Sequence, residues 1–168
     1  MTASRLFCFG LGYSARRFAL NLISEGWRVS GTARESEGVE ELKSLGIDAV
    51  LFDRDHPVED LQARLRGVSY LLSSVPPDAD GDAVLDMHGD YIAGLAGSCH
   101  WIGYLSITGV YGNRDGGWVK EGTPLEPTSD RARHRAKAEE RWLDLGSHAF
   151  RLAGIYGPGR NALRDVKK

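Results

Sequence analysis

The amino-acid sequence predicts an α/β fold built on a doubly wound parallel sheet of about six strands. Short apolar runs, typical of buried strands, alternate along the chain with segments whose apolar residues recur at helical spacing. Glycine or proline ends most of these runs, as expected where one element turns into the next. The first run leads straight into Gly-Leu-Gly-Tyr-Ser-Ala at positions 10–15, which favours a tight turn between a strand and a helix.

The predicted strands are short and spread along the chain, at 6–9, 28–31, 49–52, 68–75, 101–107 and 149–153. Helix-length segments separate them, over about 15–26, 39–46, 61–67, 84–96 and 129–145, and a long loop covers 108–129. Because parallel crossovers keep one hand, six such strands favour two βαβαβ halves in the order 3-2-1-4-5-6, a Rossmann-like sheet. We expect residues 1–168 to form this single domain.

Composition and charge narrow the class of protein. The 168 residues carry a net charge of −2, which gives no field that would attract nucleic acid or an anionic membrane. No apolar run approaches the roughly 20 residues that a membrane helix needs, and the N-terminus is short and polar, unlike a signal peptide. Cys8, Cys99 and five histidines lack metal-ligand spacing. We expect a cytoplasmic protein with a small-molecule substrate and no metal. The sequence leaves open whether the protein forms a homo-oligomer.

The turn after the first strand matches the dinucleotide-binding pattern G-x-G-x-x-A. Gly10 permits the tight turn, Gly12 lets the backbone approach a pyrophosphate, and Ala15 lets the helix pack closely on the strand. The free N–H groups of the helix N-terminus, beside Tyr13 and Ser14, favour phosphate, and the hydroxyl of Ser14 offers a further donor. The alternative is a tight strand-to-helix turn with no ligand.

The end of the second predicted strand distinguishes NAD from NADP. A carboxylate at this point usually accepts hydrogen bonds from the ribose hydroxyls of NAD. Here the chain has Thr32 and Arg34, and Glu35 after them is expected to point away. The planar guanidinium of Arg34 can bind a 2′-phosphate, with Thr32 assisting. The sequence therefore predicts NADP as cofactor, with NAD as second choice; an exposed arginine without a ligand is the alternative.

The ends of the third and fourth predicted strands belong to the same crevice by topology. Asp53 follows the third strand, where it could accept a hydrogen bond from the adenine amino group; a solvated loop carboxylate is the alternative. Ser73, Ser74 and Val75 end the fourth strand, at the point where the strand order reverses. We expect these three residues to lie beside the ribose and phosphates of the cofactor.

Two later segments carry a family resemblance. The sequence YLSITGVYG at 104–112 resembles the SS-x-x-VYG stretch of extended short-chain dehydrogenase/reductases, and RLAGIYGPG at 151–159 resembles their R-x-x-x-x-YGPG stretch. Together with the glycine pattern, the resemblance covers nearly the whole chain. The chain is identified as a member of the atypical, NADP-binding branch, the NAD-dependent epimerase/dehydratase family. The resemblance implies an oxidoreductase, epimerase or dehydratase that acts on a nucleotide-sugar-like or small carbonyl substrate.

The chain departs from that family at the residues that move protons. No tyrosine precedes a lysine by four positions, so the Tyr-x-x-x-Lys pair is missing, and Ile107 stands at the usual Ser/Thr position. Ser106, Thr108 and Tyr111 are the remaining catalytic candidates. We also expect the C-terminal substrate region that the family builds after its sixth strand to be absent from this chain. We expect little hydride transfer, and a non-catalytic NADP(H)-binding redox sensor or degenerate homologue is the alternative function.

Two further segments leave alternatives open. Cationic side chains wrap the start of the last predicted helix, at Arg131, Arg133, Arg135 and Lys137. They either form a solvated helix surface paired with glutamates or bind a phosphorylated substrate. The loop at 113–126, which carries Trp118, is either a lid or an ordinary surface loop.

Overall fold

The computed structural model describes residues 3–95 and 97–161. Six strands are present in this part of the chain: β1 (Arg5–Phe9), β2 (Arg28–Ala33), β3 (Asp48–Leu51), β4 (Tyr70–Ser73), β5 (Trp101–Ile107) and β6 (His148–Leu152). Five α-helices lie between them: α1 (Tyr13–Ser24), α2 (Ser36–Ser44), α3 (Leu61–Arg64), α4 (Ala83–Leu95) and α5 (Asp130–Asp144). A 3₁₀ turn, Thr108–Tyr111, follows β5 directly.

The strands form one parallel sheet in the order β3-β2-β1-β4-β5-β6. The predicted α/β fold and strand order are therefore confirmed. The order reverses between β1 and β4, which are hydrogen-bonded neighbours but connect to opposite halves of the sheet. In such sheets the connections diverge at the reversal and leave a crevice at the carboxyl ends of the strands.

Each face of the sheet packs against its own layer of helices. Phe7 and Phe9 of β1 point into one apolar layer, while Leu6 and Cys8 point into the other, as the two-residue period of a strand requires. The first layer contains the fully buried Trp142 of α5, whose indole stacks on another aromatic ring of the sheet. Because both faces are covered, the strands are apolar on both sides, and this explains the continuous apolar runs in the sequence.

Some element boundaries differ from the prediction. The fourth strand was expected at 68–75 but spans Tyr70–Ser73, because its neighbour β1 ends at Phe9 and the chain beyond Ser73 turns into the crevice. The third helix was expected over 61–67 and is a single turn. The long loop predicted from position 108 begins instead with the 3₁₀ turn.

Candidate functional site

A cavity of about 430 Å³ opens at the carboxyl ends of β1, β2, β3 and β4. Its walls come from the end of β2, the segments that follow the four strands and the start of α4, and the residues that line it are Gly10, Leu11, Gly12, Thr32, Ala33, Arg34, Phe52, Asp53, Arg54, Ser74, Val75, Pro76, Pro77, Asp78 and Ala83. The cavity lies at the reversal of strand order, the place where α/β sheets bind ligands. Seven of the predicted cofactor residues line it: Gly10, Gly12, Thr32, Arg34, Asp53, Ser74 and Val75.

Gly10 shapes the floor of the cavity. Its φ angle is +80°, and a Cβ atom at this position would lie 2.9 Å from the side chain of Val75. The amide of Gly10 donates to Thr32 Oγ1 at 2.8 Å, and its carbonyl accepts from Ser74 Oγ at 2.9 Å. The turn is therefore restricted to glycine, and side chains from the strands on either side of β1 hold it in place.

Gly12 differs from Gly10 because it faces open space. Its backbone is extended, with φ −74° and ψ −168°, and a Cβ atom there would meet nothing within 4 Å. Gly12 is the N-cap of α1 and has no side chain to bond the helix N–H groups, and the first turn contains no acidic residue. The N–H groups and the positive end of the helix dipole are thus available to an anion in the cavity.

Four predicted cofactor residues do not line the cavity. Ser14 and Ala15 lie in the first turn of α1, where Ala15 is buried against the core, as the close helix packing requires. The hydroxyl of Tyr13 donates to the carbonyl of Pro158 at 3.2 Å, so the turn after β6 packs on the start of α1. Ser73 is fully buried, and its hydroxyl has no hydrogen-bond partner within the described part of the chain.

Arg34 stands at the rim of the cavity, just after β2. Its side chain is 79% exposed and contacts the carboxylate of Glu35 at 3.2 Å. Glu35 does not line the cavity, and its expected orientation away from the cofactor site stays a prediction. Thr32, which we expected to assist Arg34, is 1% exposed, and its hydroxyl oxygen accepts the amide N–H of the glycine turn. Thr32 and Arg34 line the same cavity, and the assisting role of Thr32 also stays a prediction.

Asp53 lies at the adenine end predicted for the site. Its Oδ1 atom accepts from the backbone N–H of Asp55 at 2.8 Å and of His56 at 2.9 Å, and lies 2.8 Å from the imidazole of His56. The His56 side chain, followed by these backbone bonds, holds the pKa of Asp53 below its usual value. The carboxylate is therefore ionised, and one of its oxygens is already engaged within its own turn.

Arg54 is a cavity residue that the sequence analysis missed. Its guanidinium forms a bidentate pair with Asp78, at 2.8 Å for both contacts, and a third bond to Asp86 at 3.1 Å. Asp86 in turn accepts from Arg141 of α5 at 2.7 Å. The bond to Arg54 lowers the pKa of Asp78. The signal for Arg54 in the sequence is its position, since most residues that line the cavity come shortly after the end of a strand.

The three predicted catalytic residues lie outside the lining of this cavity. Ser106 is 1% exposed and its hydroxyl has no partner among the described residues, whereas Thr108 is exposed at the start of the 3₁₀ turn. Tyr111 is buried; its hydroxyl accepts from Arg151 at 2.6 Å, and the guanidinium also lies over its ring. Of the three, Thr108 is therefore the candidate that a ligand can reach without rearrangement.

The arginine-rich helix α5 is not a uniformly solvated surface. Arg135 is 6% exposed and donates to the hydroxyl of Tyr104 at 3.1 Å and to the carbonyl of Leu105 at 2.9 Å. Glu139, one turn later, is fully buried and pairs with Arg151 of β6 at 2.6 Å. The solvated interpretation is therefore wrong for Arg135 and for Glu139. These contacts tie α5 to both strands at this side of the sheet.

The long loop after the 3₁₀ turn is attached at its base. Arg114 donates to the carbonyls of Tyr111 at 3.0 Å and Pro124 at 2.6 Å, and pairs with Glu126 at 3.1 Å. Trp118, near the tip, is fully exposed. The fixed base and exposed tip are compatible with either interpretation of this loop, and the lid stays a prediction.

Within residues 3–95 and 97–161, no helix combines the length and apolar character needed to cross a membrane. The same part of the chain holds no cluster of three or more His, Cys, Asp or Glu side chains arranged to bind a metal ion. Cys8 is fully buried and unpaired, and burial raises the pKa of its thiol. The charged side chains that line the cavity are those of Arg34, Asp53, Arg54 and Asp78.

A curated protein resembles this chain in sequence. No family model matches the chain. It is 31% identical over 164 residues to protein YeeZ of Escherichia coli K12, a match that spans 90% of this chain and 59% of YeeZ. The chain thus spans about three fifths of the length of that curated relative.

Two solved structures share the fold of this chain. A conserved protein of unknown function from Silicibacter pomeroyi is 42% identical, with a TM-score of 0.85 over 98% of this chain and 57% of its own. A Methylobacillus flagellatus protein, provisionally described as an NAD-dependent epimerase/dehydratase, has a TM-score of 0.73 over 99% of this chain and 59% of its own, at 22% identity. At that identity the second likeness establishes the shared fold and nothing more.

The bond between Thr32 and Gly10 can be tested by unfolding. Thr32→Val keeps the side-chain volume but leaves the amide of Gly10 without its acceptor, which should cost about 1–3 kcal/mol. Thr32→Ser keeps the hydroxyl and should lose less, about 0.8 kcal/mol for the missing methyl group. Urea unfolding of both variants measures the difference. A valine variant at least as stable as the serine variant would show that this hydrogen bond does not hold the turn.

Proposed function

We propose that this chain binds NADP(H) in the cavity at the carboxyl ends of β1–β4, as a member of the extended, atypical short-chain dehydrogenase/reductases. The glycine turn is the observation that carries the proposal, because Gly10 fixes the tight turn and Gly12 opens the N-terminus of α1 toward the cavity. The resemblance of the 104–112 and 151–159 segments to the epimerase/dehydratase family supports it. The chain also shares its fold with a protein described in those terms.

Each part of the cavity suits one part of the dinucleotide. The backbone N–H groups in the first turn of α1, which follows its N-cap Gly12, and the positive end of the helix would hold the pyrophosphate. Asp53 and Ser74 line the same cavity. Asp53 would accept a hydrogen bond from the adenine amino group, and Ser74 and Val75 would lie beside the ribose and phosphates. When bound, the nicotinamide would accept or donate a hydride, and the chain would bind and orient the cofactor.

Arg34 supports NADP over NAD. No carboxylate stands at the end of β2 to accept from the ribose hydroxyls, since the nearest acid, Glu35, contacts Arg34 itself. Arg34 is exposed at the cavity rim, and its guanidinium can turn to form two bonds with a 2′-phosphate. NAD is the second choice, because the pyrophosphate and adenine sites serve both cofactors.

The proposed reaction class is inferred from the proposed family. Family membership favours an oxidoreductase, epimerase or dehydratase acting on a nucleotide-sugar-like or small carbonyl substrate. A non-catalytic NADP(H)-binding sensor is the second candidate, and a specific observation favours it. The chain has no Tyr-x-x-x-Lys pair, Ile107 replaces the usual hydroxyl, and the phenol of Tyr111 is held by Arg151. Thr108 is the reachable hydroxyl that the enzyme hypothesis would use.

Arg34→Ala tests the cofactor preference. A hydrogen bond to a charged group contributes about 1.5–3 kcal/mol, so the variant should bind NADP about 10- to 100-fold more weakly. NAD affinity should stay nearly unchanged, because NAD lacks the phosphate. Isothermal titration calorimetry with both cofactors measures the two dissociation constants.

Glu35→Gln is the matched control for Arg34. It removes the carboxylate that contacts Arg34 but leaves the arginine in place, so NADP should bind as well as before or more tightly. Equal losses of NADP and NAD affinity in Arg34→Ala would contradict the proposed role of Arg34 as the phosphate contact.

Turnover separates the enzyme from the sensor. Because the usual proton donor is missing, we expect a turnover number for hydride transfer about 10²- to 10⁴-fold lower than the value of about 10 s⁻¹ that is typical of enzymes. The assay follows NADPH oxidation with a panel of sugar nucleotides and small carbonyl compounds. A turnover number near that typical value would show that another residue transfers the proton. Thr108→Val would then identify whether the exposed hydroxyl is that residue.

A further inference from the structure

Arg54 joins two walls of the cavity. It follows β3, whereas Asp78, its bidentate partner, lies in the segment after β4. The carboxylate of Asp78 is itself held by the backbone N–H groups of Asp80 at 2.9 Å and Gly81 at 3.2 Å. Asp86 fixes the remaining terminal nitrogen of the guanidinium. The plane of Arg54 is therefore set by ionic contacts on three of its nitrogens.

The charge of Arg54 is already balanced. The ionic chain Asp78–Arg54–Asp86–Arg141 contains two positive and two negative groups and is neutral as a whole. The bonds to Asp78 and Asp86 raise the pKa of Arg54, so the guanidinium stays charged at any ordinary pH. A phosphate would have to compete with two carboxylates for this group, which makes Arg54 a poor anion site.

Arg34 has the opposite character. Its side chain is 79% exposed and has one contact, to the adjacent Glu35, whereas the side chain of Arg54 is 28% exposed and fixed. Besides Arg54, the lining of the cavity includes the apolar residues Val75, Pro76, Pro77 and Ala83. A cavity that combines apolar side chains with a fixed guanidinium suits a flat heteroaromatic ring, because guanidinium groups stack on aromatic faces.

We propose that Arg54 is the purine-binding residue of the cavity and that it acts by stacking its flat guanidinium on the ring rather than by pairing with a phosphate. This inference rests on the proposed dinucleotide site and adds a specificity determinant to it. Arg34 would distinguish NADP from NAD, and Arg54 would contribute equally to both, because both carry adenine. The carboxylates Asp78 and Asp86 act as positioning residues that hold the guanidinium in the orientation needed for stacking.

The test compares Arg54→Met and Arg54→Lys by calorimetry. Removing the stacking contact between a guanidinium and an aromatic ring should weaken binding about 2- to 30-fold. We expect that loss for NADP and NAD alike, so that their affinity ratio stays constant. Lysine keeps the positive charge but lacks the plane, so Arg54→Lys should lose as much as Arg54→Met. The loss should also be the same at low and high salt.

Arg64→Met is the matched control. Arg64 has a side chain 32% exposed and one ion pair, to Asp48 at 3.8 Å, and it does not line this cavity. Its variant should bind both cofactors like the parent. Parent-like affinity in Arg54→Lys, or a loss confined to NADP, would overturn the inference and assign Arg54 a charge role. A parent protein that binds neither cofactor would instead refute the proposed function on which the inference rests.

Discussion

The left-handed turn at Gly10 is the constraint on which the rest of the site depends. At φ +80° a side chain would be strained in any surroundings, and here a Cβ atom would also collide with Val75. Thr32 from β2 and Ser74 after β4 each bond one polar group of Gly10, so the turn is fixed from both halves of the sheet. The turn leads into α1, whose N-terminus has no side-chain cap and is open at Gly12, and this geometry could accept an anion.

A second constraint operates at the other side of the sheet. Arg135, Glu139 and Arg151 are charged groups withdrawn from water between α5, β5 and β6, with the buried Glu139 bonded through one carboxylate oxygen. Breaking a buried ion pair by removing one partner costs about 3–5 kcal/mol, so these groups hold the helix rigidly against the strands. The same arrangement engages the phenol of Tyr111. Charged contacts therefore organise this side of the sheet, and they fix the side chain of Tyr111 in place.

Local sequence patterns were sufficient for much of the fold. The strand order follows from the alternation of apolar runs and helical segments, because handedness and short connections leave few topologies. Gly10 and Gly12 could be predicted, because a tight strand-to-helix turn has a local signature. Arg54 and Arg135 could not, since their roles depend on partners 24 to 32 residues away for Arg54 and about 30 away for Arg135. Thr32 was placed in the right cavity, but its bond to Gly10 also depends on a non-local contact.

The central claim is that a dinucleotide lies against the N-terminus of α1, and Gly12→Val tests it most directly. A Cβ atom at Gly12 meets nothing within 4 Å and the backbone is extended, so valine should fold normally while its side chain occupies the space of the pyrophosphate. Gly94→Ala, at an exposed helical glycine with equal open space, is the control. We expect titration calorimetry to show NADP binding to the parent and to Gly94→Ala and none to a folded Gly12→Val. Undiminished NADP binding by folded Gly12→Val would show that the dinucleotide binds elsewhere.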